Sequence, residues 1–204
     1  TQLPTSDVDY LAVFQQPTRM VLGLAPWQDG LDGKTPDYQC HEIGKLAGLL
    51  LKGNPGVVEM LFTEQMQVTT PSWDALRSFR QTFINQTTLG QYLGYCDDQL
   101  RRHRAGNRLH TAGGVYNTKW AYHVLRLIRN AERMVQGGQP VVMETGHDLN
   151  LLMQVRAGTL APMDVEAAYA QVRASVAAAV PNLPPSAEVG LLEDWLWQQR
   201  LEDR

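Results

Sequence analysis

The sequence predicts an α+β protein in which a small N-terminal unit with a mixed sheet precedes a C-terminal helical region. Up to about residue 70, short apolar and β-branched runs alternate with loops rich in Gly, Pro and Asp, which is typical of strands. From Thr70 onward, helical patterns dominate. With 204 residues, of which 44% are hydrophobic, the chain can fill a substantial core. We therefore predict an α/β unit over residues 1–70 and a helical domain over residues 71–204.

The strands of the N-terminal unit are predicted from three short runs. Residues 8–14 (VDYLAVF) are apolar and β-branched and end before Pro17. Residues 19–24 (RMVLGL) form a second candidate strand, and residues 26–36 (PWQDGLDGKTP) have the composition of a loop. Residues 37–42 (DYQCHE) form the next candidate strand, which leads directly into a helix.

Helix signals account for most of the remaining chain. Gly53 followed by Pro55 ends the first helix, as a glycine C-cap followed by a proline does. Residues 57–62 (VVEMLF) are too short to assign from their pattern. The predicted helices lie near residues 42–52, 72–84, 88–104, 115–136, 147–157, 163–180 and 187–201.

Charge and cysteine content narrow the class of protein. The formal net charge of −3 carries no global signal for binding nucleic acid or membranes, so a basic surface would have to be a local patch. Two cysteines, Cys40 and Cys96, favour a reduced cytoplasmic protein over a disulfide scaffold. No apolar run approaches the roughly 20 residues of a membrane helix. Because the chain begins at Thr1 rather than at a methionine, we expect part of the N-terminal unit to lie upstream.

Two carboxylates, Asp7 and Asp9, stand at the head of the first strand. Side chains two residues apart on a strand share a face, about 6.5 to 7 Å apart. Like charges at this distance destabilise each other unless a cation lies between them. Oxygen ligands of this kind suit Mg²⁺. The alternative is that Asp9 is an ordinary surface residue and Asp7 an ordinary residue at the start of a strand.

A two-metal site for phosphoryl transfer usually requires a third carboxylate. Asp37 opens the next strand, so pairing of the two strands would bring it beside Asp7 and Asp9. Glu42 is the alternative, although its place at the start of a helix also fits a favourable interaction with the helix dipole. Asp29 and Asp32 lie in a Gly-rich loop and have the character of turn residues.

The helix predicted near residues 115–136 carries a cationic stripe. Lys119, His123, Arg126 and Arg133 follow helical spacing, and the stripe lies beside two tyrosines, Tyr116 and Tyr122. Such a stripe could hold triphosphate oxygens or a nucleic-acid backbone. It could equally be a solvated helix face. The adjacent apolar face consists of Trp120, Val124, Leu127 and Ala131.

Taken together, these stretches resemble the DNA polymerase β superfamily of nucleotidyltransferases. The similarity is greatest to its RNA-repair-pathway branch, the small proteins often labelled YcgL or RlaP type. In this superfamily a strand carries D-x-D after a Gly-Ser element, which here would stand about ten residues before Asp7 and thus upstream of Thr1. The stretches that carry the resemblance are TQLPTSDVDYLAVF, DYQCHEIGKLAGLLLKGNPGVVEMLF, TKWAYHVLRLIRNAE, LLMQVRAGTL and VPNLPP.

The resemblance implies a metal-dependent enzyme. Two Asp on one strand and a carboxylate on a neighbouring strand would bind Mg²⁺ or Mn²⁺, and Asp7, Asp9 and Asp37 match these positions as catalytic residues and metal ligands. Glu42 stays open as the alternative third ligand. The residues assigned to substrate contact are Ser6, Lys119, Tyr122, His123 and Arg126.

The implied reaction is transfer of an NMP from an NTP to a hydroxyl acceptor, with an RNA or tRNA end as the favoured acceptor. One alternative keeps the chemistry and makes a protein hydroxyl the acceptor, as in antitoxin-like AMP-transferases. The other alternative is a non-catalytic module that binds a nucleotide or RNA through a degenerate site. The charge and the lack of a long apolar run predict no membrane partner, and the sequence leaves the oligomeric state open.

Overall fold

A computed structural model describes residues 9–104 and 118–202 of the chain. Contacts group the chain into two compact units. One unit, which we call the sheet unit, contains the strands. It consists of the chain up to Phe83 and of the chain from Ala187 onward. The other is Ile84–Ser186, which we call the helical unit. This grouping differs from the predicted boundary at residue 70, because the helices Pro71–Ser78 and Val189–Glu202 pack within the sheet unit.

The sheet has the order β1-β3-β2 and is mixed, as predicted. β1 (Asp9–Phe14) runs parallel to β3 (Asp37–Glu42), and β2 (Gly30–Lys34) runs antiparallel to β3. β1 and β3 agree with the strands predicted from the apolar runs. The α+β fold class is therefore confirmed.

Two predictions in the segment between β1 and β3 are wrong. Residues 19–24 do not form a strand, because Thr18–Val21 is the short helix α1 and the chain bends after it. Residues 26–36 are not a continuous loop, since β2 lies within them. The residues GLDGK have no apolar periodicity, and their strand conformation comes from pairing with β3.

Four helices follow or cover the sheet in this unit: α2 (Ile43–Leu51), α3 (Pro55–Met60), α4 (Pro71–Ser78) and, at the end of the chain, α9 (Val189–Glu202). A 3₁₀ turn at Arg80–Phe83 completes the segment predicted as one helix near residues 72–84. The C-cap prediction for α2 is confirmed, since Gly53 has a φ of 71°. The apolar run that the pattern left unassigned lies largely in α3.

One buried ion pair joins the end of β3 to α9. The Glu42 side chain is fully buried and caps α2 by accepting a hydrogen bond from the Gly44 amide at 2.7 Å. Arg200 donates to the same carboxylate at 2.6 Å and to the backbone oxygen of Gln16 at 3.0 Å. The C-terminal helix is thus tied both to β3 and to the segment after β1.

The helical unit is built around one central helix. α6 (Thr118–Val135) packs against α5 (Gln86–Arg104), α7 (Gly146–Arg156) and α8 (Pro162–Ala179). The apolar face predicted for α6 is confirmed, because its four residues are all buried. The predicted helices near 88–104, 147–157, 163–180 and 187–201 are present within about two residues of their ends. The described part of α6 agrees with the prediction, while residues 115–117 lie outside the described residues.

Neither cysteine of the chain is in a disulfide. In the part of the chain that the structure describes, no helix combines the length and apolar character needed to cross a membrane.

Replacing Arg200 with Met should destabilise the protein by about 3–5 kcal/mol, because Glu42 would remain as a buried charge without its cationic partner. Urea unfolding measures this change. The matched control is Arg19→Met, which removes an exposed arginine of the same unit and should change the free energy of unfolding by less than about 0.5 kcal/mol.

Adding Glu42→Gln to Arg200→Met should recover part of the lost stability, since no unpaired charge is then buried. An Arg200→Met protein as stable as the parent would show that the ion pair does not hold α9 to the sheet.

Candidate active site

Asp9 and Asp37 meet at one end of the sheet. Each is the first residue of its strand, and the parallel register of β1 and β3 pairs them directly. Register partners on adjacent strands project to the same face with backbones about 4.8 Å apart. Both residues are exposed, and neither is in an ion pair within the described residues. We expected strand pairing to bring Asp37 beside the aspartates of D-x-D. The structure places Asp37 directly beside Asp9, the aspartate of that element that it describes.

The third residue in this row is Lys34. It lies on β2 opposite Asp37, where β2 turns into β3 through Thr35 and Pro36. Opposite residues of an antiparallel pair also share a face. At this end of the sheet, the carboxylates of Asp9 and Asp37 and the ammonium group of Lys34 therefore form one row across three strands.

The structure separates Glu42 from this row. Glu42 is the last residue of β3, five residues beyond Asp37, which corresponds to about 16 Å along the strand. Its carboxylate is fully buried and already occupied by Arg200 and by the Gly44 amide. Its role here is to cap α2, so the geometry favours Asp37 over Glu42 as the carboxylate that accompanies Asp9.

The two loop aspartates have different surroundings. Asp29 accepts a hydrogen bond from Lys45 at 3.0 Å. Asp32 lies on β2 opposite Gln39, two residues along the strand from Lys34. The predicted residues Ser6 and Asp7 lie outside the described residues.

The row fits a hard divalent cation. Mg²⁺ prefers carboxylate oxygens and keeps several waters or phosphate oxygens, so it needs few protein ligands. Asp9 and Asp37 provide two accessible carboxylates on one face. Among residues 9–104 and 118–202 no group of three metal-ligating side chains is present. Strand alternation places one more described carboxylate, that of Asp32, on the same face, two residues before Lys34 on β2.

The helical unit contains a separate cationic cluster. Lys119, His123 and Arg126 lie on α6 at the predicted spacing, and Arg156 at the end of α7 joins them. The guanidinium of Arg156 stacks over the Tyr122 ring at 5.3 Å, and that ring meets the His123 ring edge-on at 5.4 Å. Tyr122 is buried, so it supports the cluster from below.

Burial and, to a smaller extent, the positive charges of Arg126, Lys119 and Arg156 together lower the pKa of His123 to about 4. The ring is therefore neutral at pH 7. A neutral imidazole can accept a hydrogen bond at one nitrogen while it donates from the other. The surrounding positive charge favours an anion at the same place.

Arg133 does not belong to this cluster, although its spacing extends the predicted stripe. Its guanidinium donates to Glu144 at 2.6 and 2.7 Å and to Asp148 at 2.5 Å. It also donates to Asn130 at 2.7 Å. These bonds hold the segment after α6 against the helix, which is a structural role.

Sequence reasoning missed Lys34 and Arg156. The Gly-Lys-Thr-Pro-Asp turn is a hairpin signal that would have placed Lys34 opposite Asp37. Arg156 gave no comparable signal, because only the packing of α7 on α6 brings it to the cluster.

The depressed pKa of His123 makes a titration prediction. A histidine with a folded-state pKa of about 4 and an unfolded value near 6.5 stabilises the fold fully above pH 6.5, and this contribution is lost as the pH falls towards 4. NMR of the imidazole should therefore show no protonation of His123 between pH 5.5 and 8. Arg126→Met should raise its pKa.

Arg129→Met is the control for that titration, since Arg129 lies on the same helix, does not contribute to the shift of the His123 pKa, and pairs with a carboxylate, Glu132, that is not buried. A pKa for His123 near 6.5 in the parent protein would contradict the account of a half-buried ring surrounded by cations.

Comparison with known proteins gives one match. The family model described as RNA repair pathway DNA polymerase beta family (RlaP) matches residues 2–159, which is more than three quarters of the chain. No curated protein and no solved structure matches. The matched range contains both strands that carry Asp9 and Asp37 and the whole of α6 and α7. The chain therefore belongs to the RNA repair pathway DNA polymerase beta family.

Proposed function

We propose that the protein is a Mg²⁺-dependent nucleotidyltransferase that moves an NMP from an NTP to a hydroxyl acceptor, with an RNA or tRNA end as the acceptor. One observation carries the proposal. In a chain of the polymerase β family, Asp9 and Asp37 pair directly across parallel strands at an exposed end of the sheet.

The reaction requires an acceptor oxygen to attack the α-phosphorus of the nucleotide. A new P–O bond forms to the acceptor, the bond to the β-phosphate bridging oxygen breaks, pyrophosphate leaves, and the hydroxyl proton passes to solvent or a nearby base. Divalent metal ions at such a site lower the pKa of the attacking hydroxyl and neutralise the triphosphate. Asp7, Asp9 and Asp37 would hold these ions, and the position of Asp9 and Asp37 on strands keeps those two carboxylates fixed in direction.

In the helical unit, the cationic cluster would bind phosphate groups of the substrates. Lys119 and Arg126 supply positive charge, and Arg126 can also offer paired N–H donors that match phosphate oxygens. His123 stays neutral and can hydrogen-bond a hydroxyl or a phosphate. Tyr122 shapes the cluster beneath Arg156. Ser6, next to Asp7 in the sequence, is a further proposed substrate contact.

An RNA or tRNA acceptor rests on the family, whose description places it in an RNA repair pathway. The net charge of −3 does not oppose this, because binding to a nucleic-acid end requires a local cationic surface and not a basic chain. The cluster around His123 is a surface of this kind.

Removal of either carboxylate should abolish transfer. Asp9→Ala and Asp37→Ala should each lower the rate of labelled-NMP transfer by about 100-fold or more, since even the outer partners of metal ligands account for roughly 10- to 100-fold. The assay incubates the protein with each α-labelled NTP, Mg²⁺ and RNA or tRNA. The matched control is Asp194→Asn, which neutralises an exposed aspartate on α9 of the same unit and should leave the rate unchanged.

The assay separates the possible acceptors. Label on RNA supports the proposal, whereas label on a protein, detected by mass spectrometry, would identify an AMP-transferase. Mg²⁺-dependent transfer that survives both alanine substitutions would remove the carboxylate pair from the mechanism. Nucleotide binding without transfer to any acceptor would indicate a binding module.

A further inference from the structure

Lys34 has a position that the carboxylate pair alone does not explain. It lies directly opposite Asp37 on β2, and Asp37 lies directly opposite Asp9 on β1. All three side chains project from one face of the sheet, with neighbours about 4.5 to 5.5 Å apart at the backbone.

The ammonium group of Lys34 is not in an ion pair among the described residues, despite its place beside Asp37. Lys45 in the same unit behaves differently, because it pairs with Asp29 at 3.0 Å. Lys34 is exposed, and its four-carbon stem lets the ammonium group reach several ångströms along the row. It is therefore available to a ligand that sits over the carboxylates.

The positive charge of Lys34 determines which kind of ligand it can bind. A metal ion held between Asp9 and Asp37 would repel a neighbouring ammonium group across a short distance, so bare metal and Lys34 oppose each other. A polyphosphate attached to the metal reverses the sign of the interaction, because its oxygens would lie between the two cations.

We propose that Lys34 binds the phosphate oxygens of the metal-bound nucleotide and so makes the site select the metal–triphosphate complex over the free metal ion. This rests on the proposed function, since it requires the metal site at Asp9 and Asp37. Lys34 on the hairpin provides a cation for the triphosphate within the sheet unit itself.

The test compares two ligands, Mn²⁺ alone and Mn²⁺ with inorganic tripolyphosphate, which needs no knowledge of the base. Electron paramagnetic resonance reports the binding of each to the full chain. In Lys34→Met, affinity for the tripolyphosphate complex should fall about 10- to 100-fold, as expected for a lost charge-assisted hydrogen bond. Affinity for Mn²⁺ alone should stay the same or rise a few-fold, because a repelling charge has gone.

Two further variants make the result specific. Lys34→Arg should keep most of the affinity for tripolyphosphate, since the positive charge is retained. Lys52→Met removes another exposed lysine of the same unit and should change neither affinity. A thermal unfolding curve of Lys34→Met that matches the parent protein excludes misfolding as the cause.

Each remaining outcome contradicts a defined claim. If the parent protein binds Mn²⁺ and Asp37→Ala abolishes this binding, but Lys34→Met leaves tripolyphosphate binding unchanged, only the role of Lys34 is overturned. If Lys34→Met weakens Mn²⁺ alone as much as the complex, Lys34 supports the carboxylates rather than the phosphates. If the parent protein binds Mn²⁺ neither alone nor together with tripolyphosphate, the metal site and the role of Lys34 are both overturned.

Discussion

The parallel pairing of β1 with β3 decides which chemical groups meet at the exposed end of the sheet. Because a strand alternates its side chains with a period of two, a slip of one residue would turn Asp37 to the face opposite Asp9. The observed register places the first residues of both strands together, and the β2–β3 hairpin adds Lys34 to the same row. Two carboxylates side by side repel each other, and a metal ion bound between them would remove this repulsion.

The far end of β3 carries a buried carboxylate whose oxygens are all hydrogen-bonded. Glu42 caps α2, pairs with Arg200 and also accepts a hydrogen bond from the Gln16 amide at 3.3 Å. The chain after β1, the start of α2 and the C-terminal helix are thereby joined at one point. β3 thus has one end fixed by a satisfied charge and one end that presents unsatisfied charges to a ligand.

The sequence was sufficient for elements whose local signals agree with their tertiary contacts. β1, β3 and most helices have clear periodicity or caps, such as Gly53 at the end of α2, which has a φ of 71°. It was insufficient where tertiary contacts decide. The apolar run after Pro17 fits a strand as well as a short helix, and β2 has no apolar pattern of its own.

The predictions for the candidate active site also succeeded where local pattern was sufficient and failed where tertiary contacts decide. Strand order was enough to predict that Asp37 would lie beside the D-x-D element, and the structure brings it to Asp9. Arg156 could not be predicted, because it reaches the His123 cluster from another helix. Arg133 was predicted as part of the stripe from spacing alone, yet Glu144 and Asp148 neutralise it. Helical spacing fixes which side of a helix a residue lies on, but not which residues from other elements it meets.

The central claim is that Asp9 and Asp37 hold a divalent metal together. A crystal structure with Mn²⁺ and a non-hydrolysable NTP tests this most directly, because the anomalous signal of manganese locates the ion. We predict a peak about 2.0 to 2.3 Å from one carboxylate oxygen of each residue, with triphosphate oxygens completing its coordination. Manganese bound elsewhere, with Asp9 and Asp37 left solvated, would contradict the account.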